Sequence, residues 1–287
     1  MGLSPSPIWK LRGRTLAFGR LPLLMGIINV TPDSFSDGGH FLDPAAAVEH
    51  GLRLASEGAD LLDVGGESTR PGATAVAAAE ELRRVMPVVA GLCRQTSLPV
   101  SIDTSKAIVA REALAAGASI INDVTALEGD AAMQAVAVES GAGVCVMHMQ
   151  GSPRTMQENP KYTDVVREVL DYLRRRRDAL GEAGIEPDRV AVDPGIGFGK
   201  TAEHNLGLLR EAWRLHELGC AVLVGPSRKR FIAQQIGDPA ADRTAGTIGV
   251  ALALARQGVQ VIRVHDVAPV RQALALYEAS GGLALGY

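Results

Sequence analysis

The chain has 287 residues, of which 47% are hydrophobic, 21% charged and 4% aromatic. This composition excludes a disordered chain, and the length suits either two average domains or one α/β barrel of about 250 residues. The 29 basic and 32 acidic side chains give a formal net charge of −3, which lacks the basic excess of nucleic-acid-binding or membrane-surface proteins and favours a small-molecule partner.

The cysteines and the apolar runs of the sequence indicate the cellular compartment. Cys93, Cys145 and Cys220 are far apart and form no CxxC motif, so they predict neither a disulfide framework nor a zinc site. The first residues contain no apolar signal core, and no apolar run approaches the roughly 20 residues of a membrane span. We therefore expect a cytoplasmic protein.

Short apolar runs alternate with longer amphipathic segments, a pattern typical of βα units on a parallel sheet. Eight runs are predicted as strands: residues 23–30, 59–64, 99–104, 119–124, 143–148, 190–194, 221–225 and 259–266. The sequence therefore predicts a single (β/α)8 TIM barrel over residues 23–287, with a doubly wound open sheet as the alternative. Residues 1–22 form an N-terminal extension, in which Gly13 between two arginines favours a hairpin across the bottom of the barrel.

The segments between the strands have helical patterns. In residues 164–180, apolar side chains share one face and Arg174 to Arg177 occupy much of the other, which predicts a solvated basic face. A glycine precedes five of the strands and suits the left-handed residue that ends a helix. These glycines are Gly58, Gly117, Gly141, Gly219 and Gly258.

Polar residues occur at the carboxyl end of every predicted strand, where barrels of this type carry their active sites. In chain order they are Asn29; Asp63 with residues 67–70; Asp103; Asn122 and Asp123; His148; Asp193; residues 227–229; and Arg263 with His265. A single polar strand end is usually a turn former or a helix cap. Polar residues at all eight strand ends together indicate an active site.

The residue types predict a polar heterocycle with an anionic tail as the substrate. Carboxylates and an amide suit the heterocycle's edge: Asp103, Asn122 and Asp193. Positive charge for a diphosphate or a carboxylate is expected from Arg70, Lys229, Arg263 and His265. Lysine is rare among the 29 cationic residues, yet three of the five lysines, Lys106, Lys200 and Lys229, follow strand ends.

Two loops rich in glycine and polar residues, 31–39 and 65–72, are either mobile lids or plain surface loops. The GxGxG run from Gly195 to Gly199 follows the sixth strand without the rest of a dinucleotide fingerprint, so it predicts a tight turn beside the site.

Long motifs of the chain closely resemble the dihydropteroate synthase family, whose members are pterin-binding (β/α)8 barrels. The two longest are MGIINVTPDSFSDGG at residues 25–39 and DVGGESTRPG at residues 63–72. Shorter ones are SIDT (101–104), IND (121–123), MHMQG (147–151), DPGIGFGK (193–200), SRK (227–229) and RVHD (263–266). The resemblance covers residues 25–266 and departs from many relatives at Pro226 and Arg230, beside the aminobenzoate pocket.

The resemblance implies condensation of 6-hydroxymethyl-7,8-dihydropterin diphosphate with p-aminobenzoate, which gives 7,8-dihydropteroate and diphosphate. It assigns pterin binding to Asp103, Asn122, Met147, Asp193, Lys229 and Arg263, the last stacked on the ring. It assigns diphosphate binding to Asn29, Arg263 and His265, and Mg2+ to Asn29. It assigns the aminobenzoate pocket and lid to Phe35, Thr69, Arg70, Pro71, Phe198 and Ser227. The residues with catalytic roles are then Asp103, Arg263, His265, Lys229 and Asn29.

The resemblance also implies a homodimer and a target of sulfonamides. Our mechanistic hypothesis is a dissociative substitution, in which the C–O bond breaks first and Asp103 stabilises the methylene cation.

Two alternatives stay open: a methyltetrahydrofolate-binding methyltransferase barrel and a non-catalytic pterin-binding homologue. The intact lid motifs with Arg263 and His265 speak against the first, and the complete set of lid and cationic residues speaks against the second.

Overall fold

The computed structural model describes residues 5–31, 43–70, 72–152 and 154–283. An antiparallel hairpin of β1 (Ile8–Leu11) and β2 (Arg14–Ala17) comes first. Eight parallel strands follow: β3 (Leu23–Asn29), β4 (Leu61–Gly65), β5 (Val100–Asp103), β6 (Ile120–Asp123), β7 (Gly143–Met147), β8 (Val190–Asp193), β9 (Ala221–Val224) and β10 (Val261–Val264). They pair in chain order, and β10 closes the ring against β3. The predicted barrel is confirmed, and the open sheet is wrong.

Helices surround the strands. They are α1 (Pro44–Ser56), α2 (Ala78–Gln95), α3 (Ala107–Ala115), α4 (Met133–Ser140), α5 (Val165–Glu182), α6 (Ala202–Arg210), α7 (Arg230–Ile236), α8 (Thr244–Arg256) and α9 (Val267–Ala279), with 3-10 turns at Pro187–Arg189 and Ala212–Leu218. The five glycines predicted to end helices all have positive φ, from +67° to +115°. Within the described residues, no helix combines the length and apolar character that a membrane span requires.

The barrel interior changes from apolar to polar along the strands. Its lower half is filled by side chains such as Met25, Leu61, Ile120 and Ala191. Because side chains alternate along a strand, the residue two positions further on points the same way. Those positions on β4, β6 and β8 are Asp63, Asn122 and Asp193. The period of two therefore places a layer of polar side chains directly above an apolar plug.

The hairpin lies against the amino ends of the strands. Trp9 is fully buried, joins the apolar cluster of the interior and donates a 3.0 Å hydrogen bond from Nε1 to the carbonyl of Arg189. The backbone N–H of Arg12 donates to the carbonyl of Ser119 at 3.4 Å. This end of the barrel is closed, so the cleft opens at the other end.

One expectation about α5 is wrong. Arg176 is only 8% exposed, and its Nε donates to the carbonyl of Ala126 at 2.5 Å. Ala126 and Leu127 have φ of +56° and +64°, an uncommon conformation for residues other than glycine. Arg176 satisfies carbonyls of this strained loop, so the basic face of the helix is not uniformly solvated.

Candidate active site

A cleft of about 1390 Å3 opens at the carboxyl ends of the strands. Most of the predicted site residues line it: Asn29, Thr69, Arg70, Asp103, Phe198, Ser227, Lys229, Arg263 and His265. Asn122, Met147 and Asp193 lie deeper and are buried. Phe35 and Pro71 lie outside the described residues. The structure thus brings the described predicted residues to one end of the barrel.

Arg263 links three strands at the floor of the cleft. Its Nε donates to Asp63 Oδ2 at 2.6 Å, and its Nη2 donates to Asp103 Oδ2 at 2.8 Å. Asp63 is fully buried and also accepts a 3.0 Å hydrogen bond from Asn122 Nδ2. Asp63 is one of the polar strand ends of the sequence analysis but had no predicted role, and its inward register above Leu61 places it in the site.

Burial raises the pKa values of two carboxylates in the cleft, Asp103 and Asp193. It raises the pKa of Asp103 to about 7, against the opposing influence of Arg263, while the charge of Asp63 adds to the increase. Burial also raises the pKa of Asp193. Burial alone would lower the pKa of Arg263. The negative charges of Asp63 and Asp103 have the larger effect and raise it. Arg263 is therefore a permanent cation, whereas Asp103 titrates near neutrality.

Lys229 lies over the ring of Phe198, with Nζ 4.1 Å from the ring centroid. This distance is that of a cation–π contact. Burial and then Arg263 lower the pKa of Lys229 to about 8, although Asp193 and Asp103 oppose the decrease. Lys229 is still mostly charged at pH 7, and it stands between the deep carboxylates and the aromatic wall of the cleft.

The turn that carries Phe198 requires its glycines. Asp193 Oδ1 accepts a 2.7 Å hydrogen bond from the backbone N–H of Gly195, which has φ of +70°. A Cβ on Gly195 would lie 1.9 Å from the carbonyl oxygen of His148, an impossible separation. The predicted tight turn is present, and it packs directly against the loop after β7.

His265 and Ser227 form a pair at the rim. The Ser227 hydroxyl oxygen accepts from the backbone N–H of His265 at 3.1 Å and lies 3.0 Å from its Nδ1. Burial, with Arg263 and other nearby cations, lowers the pKa of His265 to about 3. Beside these cations the ring of His265 is neutral at pH 7, and the positive charge at the rim comes from its cationic neighbours.

The three lysines that follow strand ends have different surroundings. Lys200 Nζ donates to His148 Nδ1 at 3.0 Å and to the carbonyl of Phe198 at 2.9 Å. It braces the glycine turn, and burial lowers its pKa to about 7. Lys106 binds two glutamates, Glu67 and Glu81. Lys229, by contrast, lines the cleft and lies over the Phe198 ring.

A closed barrel whose carboxyl-end cleft concentrates ionisable side chains is the architecture of a (β/α)8-barrel enzyme. Residues 25–265 match the family model described as pterin binding enzyme. The chain belongs to this pterin-binding family and, within it, to the dihydropteroate synthases, which confirms the resemblance drawn from the motifs.

Similar proteins and solved structures support the assignment to the dihydropteroate synthases. A dihydropteroate synthase of Escherichia coli (strain K12) is 46% identical over 259 residues, which cover 90% of this chain and 92% of that protein. The structure of the Xanthomonas albilineans dihydropteroate synthase with 4-aminobenzoic acid is 49% identical with a TM-score of 0.89, over 98% of this chain and 100% of that one. The Xanthomonas albilineans enzyme in complex with 7,8-dihydropteroate has a TM-score of 0.85 at 45% identity, with the same coverage.

Proposed function

We propose that this enzyme condenses 6-hydroxymethyl-7,8-dihydropterin diphosphate with p-aminobenzoate to give 7,8-dihydropteroate and diphosphate. The observation that carries the proposal is the linked set of Arg263, Asp63 and Asp103 at the floor of the cleft. There a guanidinium is fixed by hydrogen bonds to two carboxylates. Relatives that bind 4-aminobenzoic acid and 7,8-dihydropteroate support it. These relatives are synthases, which favours the condensation over methyl transfer or pterin binding alone.

The deep polar layer suits a pterin. Asn122 and Asp193 are buried at the floor, and each uses one polar atom in a hydrogen bond within the protein and has a second polar side-chain atom, an oxygen, for a substrate. A pterin edge suits these oxygens, since its amino group and ring N–H donate hydrogen bonds. Met147 is buried on the neighbouring strand and provides an apolar wall. In this proposal Lys229, which lies over Phe198, binds the pterin carbonyl, and Arg263 stacks on the ring.

The rim suits the diphosphate. Arg263 supplies a fixed guanidinium, and the cations that lower the pKa of His265 also include Arg228 and Lys229. A neutral His265 donates one hydrogen bond from its ring to a phosphate oxygen. An anion placed among these cations would be stabilised by their combined field.

Asn29 would hold Mg2+ together with the substrate. Asn29 is the last residue of β3 and lines the cleft, and its side chain carries an amide oxygen. Among the described residues no group of three or more His, Cys, Asp or Glu side chains forms a metal cage. One protein oxygen fits Mg2+, which usually keeps several waters and takes its other ligands from phosphates. When bound, the ion would neutralise charge on the departing diphosphate.

The reaction then proceeds by dissociative substitution. The bond between the pterin methylene carbon and the diphosphate oxygen breaks, and its electron pair leaves with diphosphate beside Arg263 and His265. The Asp103 carboxylate stabilises the resulting carbocation, and the lone pair of the aminobenzoate nitrogen attacks the methylene carbon. The surplus proton of the new secondary amine passes to water or diphosphate. Thr69, Arg70, Phe198 and Ser227 shape the pocket that orients the aminobenzoate.

We also propose an oligomeric state and a cellular location. The enzyme acts as a homodimer, which light scattering coupled to size exclusion tests directly. It works in the cytoplasm, which fractionation of cells expressing the tagged chain tests.

Diphosphate release measured with and without p-aminobenzoate tests the reaction. We expect release that requires p-aminobenzoate and equals the dihydropteroate formed. Pterin binding without release would favour the non-catalytic homologue. Methyl transfer from methyltetrahydrofolate to a corrinoid acceptor, without diphosphate release, would favour the methyltransferase.

A further inference from the structure

Lys106 joins two carboxylates from different elements outside the chemistry described above. Its Nζ donates to Glu67, in the loop after β4, and to Glu81 Oε2 on α2 at 2.6 Å. Glu81 is fully buried, while the side chains of Lys106 and Glu67 are 22% and 21% exposed. An ammonium that pairs with a buried carboxylate has little freedom to move. Lys106 is therefore a fixed point to which Glu67 is attached.

Glu67 braces the loop that runs from Gly66 to α2. Its Oε1 accepts a 2.9 Å hydrogen bond from the backbone N–H of Val76, nine residues further on. Its other oxygen, Oε2, binds Lys106. Thr69 and Arg70, which line the cleft, lie between the two ends of this brace. One carboxylate thus closes the loop and attaches it to the barrel.

The base of the same loop is clamped to α2. Arg84 Nη1 donates to the carbonyl of Gly66 at 2.9 Å, and a Cβ on Gly66 would lie 2.6 Å from Val85 Cγ1. The loop therefore leaves the strand in a fixed direction. Beyond Gly66, Glu67 holds the loop through its side-chain contacts with Val76 and Lys106.

Lys106 also lies three residues after Asp103. It is the N-cap residue of α3, and its backbone N–H donates to Thr104 Oγ1 at 3.2 Å. The contact from Lys106 to Glu67 therefore connects the strand that carries Asp103 with the loop that carries Thr69 and Arg70. Those residues serve the two different substrates of the proposed reaction.

We propose that Lys106 is a positioning residue that acts through Glu67 to hold Thr69 and Arg70 in place for the second substrate, the aromatic amine. This role rests on the proposed function. A cluster that only stabilised the fold would affect both substrates alike, whereas a brace on this loop affects binding of the aminobenzoate selectively. Small displacements of orienting groups are costly, since a misplacement of about 1 Å can cost about 100-fold in rate.

The test compares Glu67→Gln, Lys106→Met and Lys106→Arg with the matched control Lys10→Met. Glu67→Gln leaves the buried Lys106–Glu81 pair intact and so retains the folded state. The control removes an ion pair of 2.5 Å with Asp188 at the closed end of the barrel. Unfolding midpoints, both KM values, kcat and the pterin diphosphate Kd are measured, together with hydrogen exchange of residues 72–77.

We expect the KM for p-aminobenzoate to rise about tenfold or more in Glu67→Gln and Lys106→Met, and the pterin Kd to stay within about twofold. Exchange at Val76 becomes faster in both. Lys106→Arg keeps the charge and recovers much of the loss, and Lys10→Met behaves as the wild type.

Folded variants that leave the aminobenzoate KM within about twofold, or that weaken both substrates equally, would overturn the proposal. If Lys106→Met does not fold, Glu67→Gln decides. If the wild type shows no aminobenzoate-dependent diphosphate release, the proposed function fails instead. In that case calorimetry measures the affinity of the same variants for p-aminobenzoate with pterin and diphosphate present. A selective loss of affinity in Glu67→Gln and Lys106→Met supports the positioning role, and an unchanged affinity overturns it.

Discussion

Arg263 Nη2 and Asp103 Oδ2 are 2.8 Å apart, so the guanidinium expected to face the leaving diphosphate is hydrogen-bonded to the carboxylate expected to face the methylene carbon. Asp63, fully buried, holds the same guanidinium through Nε. The charges that the transition state needs are therefore oriented by neighbouring side chains of the barrel. Such preorganisation is the main source of electrostatic stabilisation in enzymes.

Asp103→Asn should reduce kcat by about 100-fold or more while weakening pterin diphosphate binding by less than about tenfold. The amide keeps the size of the side chain but removes the negative charge opposite the developing cation. Steady-state kcat and a calorimetric Kd check this. Asp188→Asn, which removes a carboxylate at the closed end of the barrel, is the control. Equal losses in kcat and in affinity would show that Asp103 only binds the pterin.

The rate should also depend on pH through Asp103. Because burial raises its pKa to about 7, the carboxylate becomes protonated as the pH falls through 7, and kcat/KM should fall with it. Asp63→Asn should move this acid limb to lower pH, since the charge of Asp63 contributes to the raised pKa. A profile of kcat/KM from pH 5 to pH 9 measures both effects. A flat profile between pH 6 and pH 8 would contradict an essential Asp103 carboxylate.

The barrel and the position of its site were predictable from the sequence, because buried parallel strands and polar strand ends are local patterns. The link between Asp63 and Arg263 was not, because it joins residues 200 positions apart and depends on barrel register. The same limit applies to the lysines that follow strand ends. Their positions after strand ends are alike, but Lys106 binds two glutamates, Lys200 binds the turn at Phe198, and Lys229 lies over the Phe198 ring. Packing alone decides these differences.

Lys229 should set a basic limb in the same profile. Burial lowers its pKa to about 8, so the cation is lost as the pH rises through 8 and affinity for the pterin diphosphate should weaken. Lys229→Arg, which stays charged, should remove this limb, although its different shape lowers the rate. Pterin Kd values at pH 7 and pH 9.5 measure the change. An unchanged basic limb in Lys229→Arg would assign it to another group.

Gly195→Ala should destabilise the protein far more than Gly219→Ala. Both glycines have left-handed backbones, with φ of +70° and +67°, so both substitutions carry the same strain of about 1 kcal/mol. A Cβ at Gly219 meets no atom within 4 Å, whereas one at Gly195 lies 1.9 Å from the His148 carbonyl oxygen. The displaced turn should raise the cost at Gly195 to about 3 kcal/mol or more.

Urea unfolding of the two variants measures the difference in their free energies of unfolding. Because the turn after Gly195 carries Phe198 beneath Lys229, only Gly195→Ala should also lower kcat/KM for both substrates. Similar unfolding free energies in the two variants would mean that the loop after β7 yields to the added methyl group. In that case the close approach of Gly195 to His148 does not hold Phe198 in place, and the aromatic wall of the cleft depends on Lys200 instead.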